Sequence, residues 1–428
     1  MSETDGPRYL SIASDLATTG NYTDGSSGSS QTPRPSGMYM PPLYPALLAA
    51  VVRIDPRLAS TAECYSHGSG PCPNDLGILV PLQFVIAAIN LLLLWRLAAV
   101  ATESEAIAWV SLVLAAFGTY ELAAAALSAM TENLSLCLFT AFQLALVVAV
   151  RRNALDVAVI AGILLGLTAL ARPAFLYVGY MIALLSLFCV LIPACRARFY
   201  GWSKLGGAIV LGASLAVLPW MLRNLMDFGT LDLTRSYAGN NLAQRVAYDA
   251  MTWHEYFAGW FFYLPDFGKS LARALFPLAW YTRLGWDPNS LYEYGLHTLT
   301  VTTVQAAGGV NHQVLYIVRA YVIPDLPKFS LVTLLLAWRG LWIGKYFSVV
   351  AFPLFVACLA VPTLRRRAPS LLLLSLPPLF MLFFQSMVSI DTIRYNIDLT
   401  ASFAIGAAVC FSALGARIKA AYDTMMRR

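Results

Sequence analysis

Nine long apolar runs constrain the fold of this chain more than any other feature of its sequence. An α-helix rises about 1.5 Å per residue, so about 20 apolar residues span the hydrocarbon core of a bilayer. Each run is close to that length: 77–98, 105–127, 133–150, 155–171, 174–194, 206–222, 341–361, 370–389 and 396–414. Charged residues make up only 12% of the chain, whereas a soluble domain carries about 25%. The sequence therefore predicts an all-α polytopic membrane protein, a bundle of about nine transmembrane helices.

Basic residues follow every second run and so predict the orientation of the bundle. They come after the first, third, fifth, seventh and ninth runs: Arg96; Arg151 and Arg152; Arg196, Arg198 and Lys204; Arg365, Arg366 and Arg367; Arg417, Lys419, Arg427 and Arg428. If the runs alternate in direction, all these clusters lie on one side, which the positive-inside rule assigns to the cytoplasm. The expected location is the plasma (inner) membrane, with the candidate active site on the outer, periplasmic side.

Four regions follow from this arrangement. Residues 1–76 form an outer loop with a short helix near its start, and residues 77–222 form a transmembrane module. Residues 223–340 form a large outer loop, whose many aromatic residues predict interfacial helices, including an amphipathic one over 329–345. Residues 341–428 contain the last transmembrane helices and a basic cytoplasmic tail.

The net charge of +6 does not indicate nucleic-acid binding, because the basic residues form no Lys/Arg-rich arm.

Two carboxylates stand at the outer edge of the predicted bundle. Asp5 lies near the start of the chain, and Glu132 opens the third run. An ionised group at such a position is costly unless it has a function. A carboxylate is a typical general base for an acceptor hydroxyl, so we interpret Asp5 as the catalytic base and Glu132 as its partner. The alternatives are a solvated acid for Asp5 and a helix-dipole role for Glu132. Glu121, near the outer end of the second run, is a further candidate.

Three arginines, Arg172, Arg223 and Arg394, lie on the outer side, away from the basic clusters. A guanidinium group binds phosphate through parallel hydrogen bonds and keeps its charge at physiological pH. The three residues are therefore candidate ligands for a substrate phosphate. The alternative is that they anchor helix ends to lipid headgroups. Together with the two carboxylates, they predict chemistry on a lipid-linked substrate at the water–membrane boundary.

Short motifs around these residues carry a resemblance to a known family. The motifs are Asp5 with Tyr9, followed by Pro41-Pro42-Leu43-Tyr44-Pro45; Thr131-Glu132-Asn133-Leu134; Gly162 to Arg172-Pro173; Pro219-Trp220-Met221-Leu222-Arg223-Asn224; and Arg394-Tyr395. With these motifs in this order, the chain resembles the GT-C superfamily of membrane glycosyltransferases. It is similar to the dolichyl-phosphate-mannose–protein mannosyltransferase-like group, which includes bacterial aminoarabinose and Rgt-type galacturonosyl transferases.

The resemblance implies a GT-C-like bundle that moves a hexosyl or pentosyl group from a polyprenyl-phosphate donor to a lipid, glycan or protein acceptor of the cell envelope. It implies that membrane lipids are further partners. It assigns Asp5 and Glu132 to catalysis, and it assigns to substrate binding Tyr9, Arg172, Arg223, Asn224, Arg394 and Tyr395. It implies no certain cofactor and leaves open a divalent cation shared by the two carboxylates. The metal ligands stay unknown.

A transporter or flippase for lipid-linked envelope substrates is the alternative from another functional class. Such proteins usually contain repeated halves and carry polar sites near the bilayer midplane. This chain shows no such repeat, and its charged candidates lie at the outer rim. An O-antigen-ligase-like enzyme is a third alternative, because it shares the many-helix body and a long outer loop. The sequence names neither the sugar nor the acceptor.

Cys64 and Cys72 share a polar outer loop, unlike the other cysteines, which lie in or beside apolar runs and act as small hydrophobic residues. An oxidising compartment allows a disulfide between them, and two free thiols are the alternative.

The start of the chain departs from the family pattern. Only four residues precede Asp5, whereas the family has a membrane helix before its first acidic motif, and that motif is often two adjacent acids rather than Asp5-Gly6. We therefore expect a natural start upstream that encodes a signal-anchor helix. The alternative is that residues 38–54 cross the membrane obliquely and leave Asp5 in the cytoplasm.

Overall fold

The computed structural model describes residues 5–25, 35–67, 72–120, 125–235 and 237–427, apart from the side chains of residues 193–200 and 237. Glu121, one of the candidate acids, lies outside the described residues. The described residues form helices and contain no strand, as the apolar runs predict. A helix pairs its backbone N–H and C=O groups internally, which the hydrocarbon core of a membrane requires.

The longer α-helices, in chain order, are α1 (Asp5–Thr19), α2 (Leu43–Val52), α3 (Pro56–His67), α4 (Leu79–Thr102), α5 (Glu105–Gly118), α6 (Glu132–Arg152), α7 (Leu155–Ala171), α8 (Leu176–Leu191), α9 (Pro193–Phe228), α10 (Tyr237–Ala247), α11 (Trp253–Phe262), α12 (Gly268–Leu275), α13 (Thr300–Ala306), α14 (Leu326–Gly340), α15 (Tyr346–Ala360), α16 (Leu371–Val388) and α17 (Thr400–Met426). Short 3-10 and π-helical segments connect them, including Pro173–Phe175, Tyr294–Leu299, Val318–Val322 and Ile393–Tyr395.

Seven helical stretches within the described residues are long and apolar enough to cross a membrane: Leu79–Thr102, Glu132–Arg152, Pro173–Leu191, Gly201–Phe228, Val310–Gly340, Leu371–Val388 and Ile397–Met426. By length and composition, the chain is a multi-pass membrane protein. All but Val310–Gly340 coincide with predicted runs, and the three remaining runs form the shorter helices α5, α7 and α15. These reach only about 21–26 Å at 1.5 Å per residue, so the prediction of nine spans is not confirmed.

The stretch Val310–Gly340 lies in the segment that the sequence assigns to the large outer loop. It is not one regular helix, because the π-helical turn Val318–Val322 interrupts it before α14 begins. Helix α14 overlaps the helix expected over 329–345, but it begins and ends earlier. It buries Leu335 among aromatic side chains of the neighbouring segments. The region boundary expected at residue 222 also falls inside a helix, since α9 continues to Phe228.

Contacts of Arg151 place three helix ends together. Its Nη1 lies 2.8 Å from Glu103 Oε1, just past the end of α4. Its Nε donates to Ser370 Oγ at 3.0 Å, just before α16. The ends of α4 and α6 and the start of α16 therefore share one end of the bundle. The start of α6 and the ends of α7 and α16 consequently lie at the opposite end, where the candidate residues are found.

Glycines allow helices α7 and α9 to cross at close range. A Cβ atom on Gly162 would overlap the carbonyl oxygen of Ile209, and one on Gly212 would overlap that of Val159. A close backbone crossing of this kind is what small residues at four-residue spacing permit in membranes. The Gly162 and Gly166 pair of the sequence therefore serves helix packing.

The N-terminal segment packs on the end of the bundle that carries the candidate residues. Tyr44 of the Pro-Pro-Leu-Tyr-Pro motif is fully buried, and its hydroxyl accepts a hydrogen bond from Gln83 Nε2 of α4 at 2.8 Å. Its ring meets the ring of Tyr9 edge to face, with 5.3 Å between the ring centres. A disulfide joins Cys64 at the end of α3 to Cys72, which decides between the two alternatives for these cysteines.

Residues 229–235 and 237–340 form a helical layer tied to the bundle by a fully buried arginine. Arg245 of α10 pairs with Asp249 at 2.9 Å. It also donates to the carbonyl oxygens of Phe329 in α14 (2.9 Å) and Ser386 in α16 (2.7 Å). One side chain therefore joins three helices, and the layer lies against the end of α16 beside the candidate residues.

Candidate functional site

A cavity of about 460 Å³ lies between the N-terminal segment, the helical layer and the ends of α7 and α16. Of the residues that the sequence predicts for the site, those lining the cavity are Asp5, Tyr9, Glu132, Arg172, Arg394 and Tyr395. They come from well-separated parts of the chain. They meet because the start of α1, the start of α6, the end of α7 and the turn after α16 lie at the same end of the bundle.

Glu132 is the first residue of α6 and is only 6% exposed. Its Oε2 atom has no hydrogen-bond partner among the described residues. A buried acceptor without a partner costs free energy, although the dipole at the start of a helix partly offsets that cost for a carboxylate. The Glu132 side chain lines the cavity, and its buried Oε2 atom has no protein partner in the described part of the chain that would compete with a ligand.

Asp5 begins α1 and lines the same cavity wall as Glu132. Burial raises the pKa of Asp5 above its ordinary value. The charge of Arg394 opposes this shift, the charge of Glu132 adds to it, and the charge of Arg172 opposes it again. A raised pKa makes a carboxylate a stronger base and brings it nearer to the range that general-base catalysis needs. Asp5 therefore has the environment expected of a proton acceptor.

Two guanidinium groups lie close to the ring of Tyr395. The Cζ atoms of Arg172 and Arg394 are 5.2 and 5.3 Å from the ring centre. Arg172 leaves α7 in an extended conformation because Pro173 follows it and ends the helix. Burial alone would lower the pKa of Arg394, but the phenol of Tyr395 and the carboxylates of Glu132 and Asp5 raise it. The pair is therefore a fixed cationic group beside the two carboxylates, as phosphate binding requires.

A second cavity, of about 370 Å³, lies on the other side of Glu132 and Arg394, which line both cavities. The first turn of α1 stands between them: Asp5 lines the larger cavity, whereas Gly6 and Pro7 line the smaller one. The smaller cavity is also lined by Tyr65, Asn74 and Met130. Two separate spaces therefore meet at one carboxylate and one guanidinium group.

One wall of the larger cavity is apolar and lies at the side of the bundle. Tyr177 of α8 packs against Phe384 of α16, with 4.0 Å between their ring centres. Tyr177 is 38% exposed and Tyr180 is 49% exposed, and both line the cavity with Val388. Both tyrosines belong to a stretch, Pro173–Leu191, that is long and apolar enough to cross a membrane. The cavity thus joins a charged end to an exposed aromatic wall.

Arg223 and Asn224 are not among the residues that line this cavity. Arg223 donates to the carbonyl oxygens of Gly37 (2.6 Å) and Tyr22 (3.4 Å), and its Nε pairs with Asp227 at 3.0 Å. Asn224 is fully buried and donates to the carbonyl oxygen of Asp232 at 2.8 Å. These contacts hold the N-terminal loop and the chain after α9 against the end of that helix. In this structure the two residues support the walls of the cavity.

The structure adds one cation that sequence reasoning missed. Arg235 lines the larger cavity, and its backbone N–H donates to the carbonyl oxygen of Met38 at 3.1 Å. The only available signal was a basic residue in the outer segment, eleven positions after Asn224 of the Arg-Asn pair. Because the outer segment holds several such residues, the sequence could not single out Arg235.

No group of three or more His, Cys, Asp or Glu side chains in the described part of the chain could hold a metal ion. Asp5 and Glu132 interact electrostatically at the cavity, and one further acid, Asp232, is among the residues that line it. The shared divalent cation that the sequence leaves open therefore stays a prediction.

Comparison with known proteins assigns the chain to no family. No family model matches the chain, and no curated protein sequence matches it. The resemblance to GT-C glycosyltransferases consequently rests on the motifs.

Proposed function

We propose that the chain is an integral-membrane glycosyltransferase that moves a sugar from a polyprenyl-phosphate donor to an acceptor of the cell envelope, on the outer face of the plasma membrane. The observation that carries this proposal is the meeting of two cavities at Glu132 and Arg394, beside Asp5. A transfer reaction needs two substrates held with their reacting atoms together. Two spaces that share a carboxylate and a guanidinium group supply such a meeting point.

The larger cavity suits the donor. Its aromatic wall of Tyr177, Tyr180 and Phe384 matches a polyprenyl chain. Its cations, Arg172 and Arg394, match the phosphate that joins this chain to the sugar, and Arg235 is a third cation on the same surface. The smaller cavity then takes the acceptor and brings its hydroxyl to the first turn of α1.

The reaction follows from these placements. The acceptor oxygen attacks the anomeric carbon while the bond from that carbon to the phosphate oxygen breaks. Asp5 takes the proton of the acceptor hydroxyl, and Glu132 orients that hydroxyl through its unpaired oxygen. The polyprenyl phosphate leaves with the electron pair, and Arg172 and Arg394 stabilise the charge that develops on it. Polyprenyl phosphate and the glycosylated acceptor are the products.

Sugar release from a lipid donor tests this proposal. The purified chain is reconstituted in liposomes with a panel of polyprenyl phosphates that carry a radiolabelled hexose or pentose, and envelope extract supplies the acceptor. We expect the label to leave the lipid fraction and polyprenyl phosphate to appear in equal amount. The Asp5→Asn variant should release the label at least about a hundredfold more slowly, whereas the Glu103→Gln variant, altered at the other end of the bundle, should match the wild type.

A flippase gives a different result in the same liposomes. It would carry the intact labelled donor to the other leaflet, where an impermeant reagent no longer reaches it, and no polyprenyl phosphate would form. Movement without release would therefore replace the transferase proposal with the transporter alternative. Retention of the label on every donor in its original leaflet would overturn both.

A further inference from the structure

A network of buried side chains closes the turn that carries Arg394 and Tyr395. Asp391 and Asn396, at the two ends of this turn, are both fully buried. Asn396 Nδ2 donates to Asp391 Oδ1 at 2.5 Å, which joins the ends of the turn. Asp391 has a φ of 48°, a left-handed conformation that Asp and Asn adopt more readily than most residues. The proposed chemistry uses neither of these two side chains.

Ser386 of α16 binds the other carboxyl oxygen of Asp391. Ser386 Oγ donates to Asp391 Oδ2 at 2.5 Å, and it also lies 2.7 Å from the carbonyl oxygen of Leu382, four residues earlier in the helix. A hydrogen bond to a carboxylate is stronger than one to a neutral carbonyl. Both carboxyl oxygens of Asp391 therefore accept hydrogen bonds from neighbouring side chains.

The surroundings of Asp391 act on its pKa in opposite directions. Burial raises the pKa of Asp391 to about 7, although hydrogen bonds to Ser386 and Asn396 and the charge of Arg339 oppose the shift. Asp398 is the other charged group that faces it. Asp391 therefore keeps its proton below neutral pH and loses it as the pH rises through 7.

The same network contacts the end of α14. A Cβ atom on Gly340, the last residue of α14, would overlap Asp391 Oδ2 and Asn396 Nδ2. The preceding residue, Arg339, donates to the Tyr248 hydroxyl at 3.3 Å. The turn is thus packed between α16, which supplies Ser386, and the helical layer, which supplies Gly340.

We infer that Asp391 is a positioning residue whose buried carboxyl, joined to Asn396 and Ser386 and packed under Gly340, holds the turn that presents Arg394 to the larger cavity. This inference rests on the proposed role of Arg394 in phosphate binding. Its effect on the substrate passes through the turn, because Asp391 does not line either cavity.

Two substitutions separate this role from general packing. In Asp391→Asn, the amide group donates to Ser386 and its oxygen accepts from Asn396, so the variant copies the protonated acid and tolerates the positive φ. In Asn396→Leu, the volume stays similar but the bond across the turn is lost. Asn289→Leu, at an exposed position in the outer segment, is the matched control.

Hydrogen–deuterium exchange of the peptide covering residues 389–397 reports on the turn without any substrate. Binding of undecaprenyl phosphate to the detergent-solubilised chain reports on Arg394. We expect Asn396→Leu to speed the exchange and to weaken binding at least about tenfold, the effect of misplacing one charged hydrogen bond. Asp391→Asn and Asn289→Leu should match the wild type at acidic pH.

The pH profile completes the test. Between about pH 5.5 and pH 8.5, wild-type affinity should fall relative to that of Asp391→Asn, because only the wild type loses the proton at Asp391. The pH also changes the ionisation of the ligand phosphate and of Asp5. These changes affect both proteins equally, so they do not alter the ratio of the two affinities.

Each outcome decides something different. Unchanged exchange in Asn396→Leu, or a loss in Asp391→Asn as large as that in Asn396→Leu, would overturn the inference. If the wild type itself failed to bind undecaprenyl phosphate, the proposed function would be overturned. The exchange result would then still decide whether the network holds the turn.

Discussion

At the residue scale, the site depends on charges that are held out of water and close to one another. The charge of Glu132 raises the cost of ionising Asp5, whereas the charges of Arg394 and Arg172 lower that cost. The net result is a carboxylate that is more basic than a solvated one. The two carboxylates are not equivalent, because Glu132 starts a long helix, whereas Asp5 starts the short N-terminal helix that separates the two cavities.

The isosteric variants Asp5→Asn and Glu132→Gln test this assignment. We expect each to lower sugar transfer by about 10² to 10⁴, the usual contribution of a general base. Expression and melting temperature should change little, because the shape of each side chain is kept. Transfer rates from the labelled donor, measured beside melting temperatures in detergent, check both expectations. Glu103→Gln, an exposed acid at the other end of the bundle, is the control, and wild-type rates in both site variants would contradict the assignment.

The two arginines Arg394 and Arg223 should behave differently when each is changed to alanine. Arg394 lines both cavities, so we expect Arg394→Ala to lower donor use by about 10² to 10³, the range seen when a charge-stabilising donor is lost. Arg223 bonds to backbone carbonyls and to Asp227, so Arg223→Ala should mainly lower the melting temperature.

Donor KM and thermal unfolding, measured on the same preparations, distinguish these effects. The sequence alone expected both arginines to bind the donor phosphate. A donor KM for Arg223→Ala as high as that for Arg394→Ala would restore that expectation and contradict the supporting role that the contacts of Arg223 indicate.

At the scale of the elements, helix ends and helix crossings place the site. Pro173 ends α7 and leaves Arg172 extended toward Tyr395. The close crossing of α7 and α9 fixes where α7 ends, because glycines bring the two backbones together. A substitution that alters the crossing of α7 and α9 would therefore displace Arg172, even if the substituted residue does not contact Arg172.

Gly162→Val tests the crossing, and Gly207→Val is its matched control. A side chain at Gly162 would overlap the backbone of α9, whereas nothing lies within 4 Å of a Cβ atom on Gly207, which belongs to α9 itself. Overpacking of this kind costs about 1–3 kcal/mol. We expect Gly162→Val to lower the melting temperature and Gly207→Val to leave it near the wild-type value. Equal melting temperatures for the two variants would show that the helices are not in close contact.

At the scale of the whole molecule, the chain has two chemically distinct ends. One end holds the contacts of Arg151 with Glu103 and Ser370. It is the end expected to carry the basic clusters of the sequence. The other end holds both cavities, the Cys64–Cys72 disulfide and the helical layer tied down by Arg245. Disulfides persist in oxidising compartments, and basic residues favour the cytoplasmic side. Both tendencies favour an outward-facing site.

Labelling with a membrane-impermeant maleimide tests this orientation. In a background without other cysteines, Thr18→Cys places a thiol at an exposed position at the end of α1, and Asp423→Cys places one at an exposed position near the end of α17. We expect intact spheroplasts to label position 18 and to require permeabilisation before position 423 reacts. The reverse pattern would place Asp5 in the cytoplasm and contradict the proposed outer site.

Much of the fold follows from the sequence, because membrane insertion acts on local properties. A long apolar run must become a helix, since only a helix satisfies its own backbone in the hydrocarbon core. The runs at 77–98 and 133–150, for example, correspond to α4 and α6 within a few residues. The run at 155–171 even has the bounds of α7, whereas the run at 341–361 begins several residues before α15, because apolarity alone does not fix where a helix starts.

The sequence by itself determined the all-helical, multi-pass class and the residue types available for phosphate and proton chemistry. Only the tertiary structure decided which of them meet. In the structure, Asp5, Glu132, Arg172 and Arg394 line one cavity, together with Arg235. Arg223 instead binds the backbone of the N-terminal loop. The physical reason is that composition and periodicity are properties of consecutive residues along the chain. Proximity between distant segments depends instead on how helices cross and on what each helix end contacts, and no local pattern carries that information.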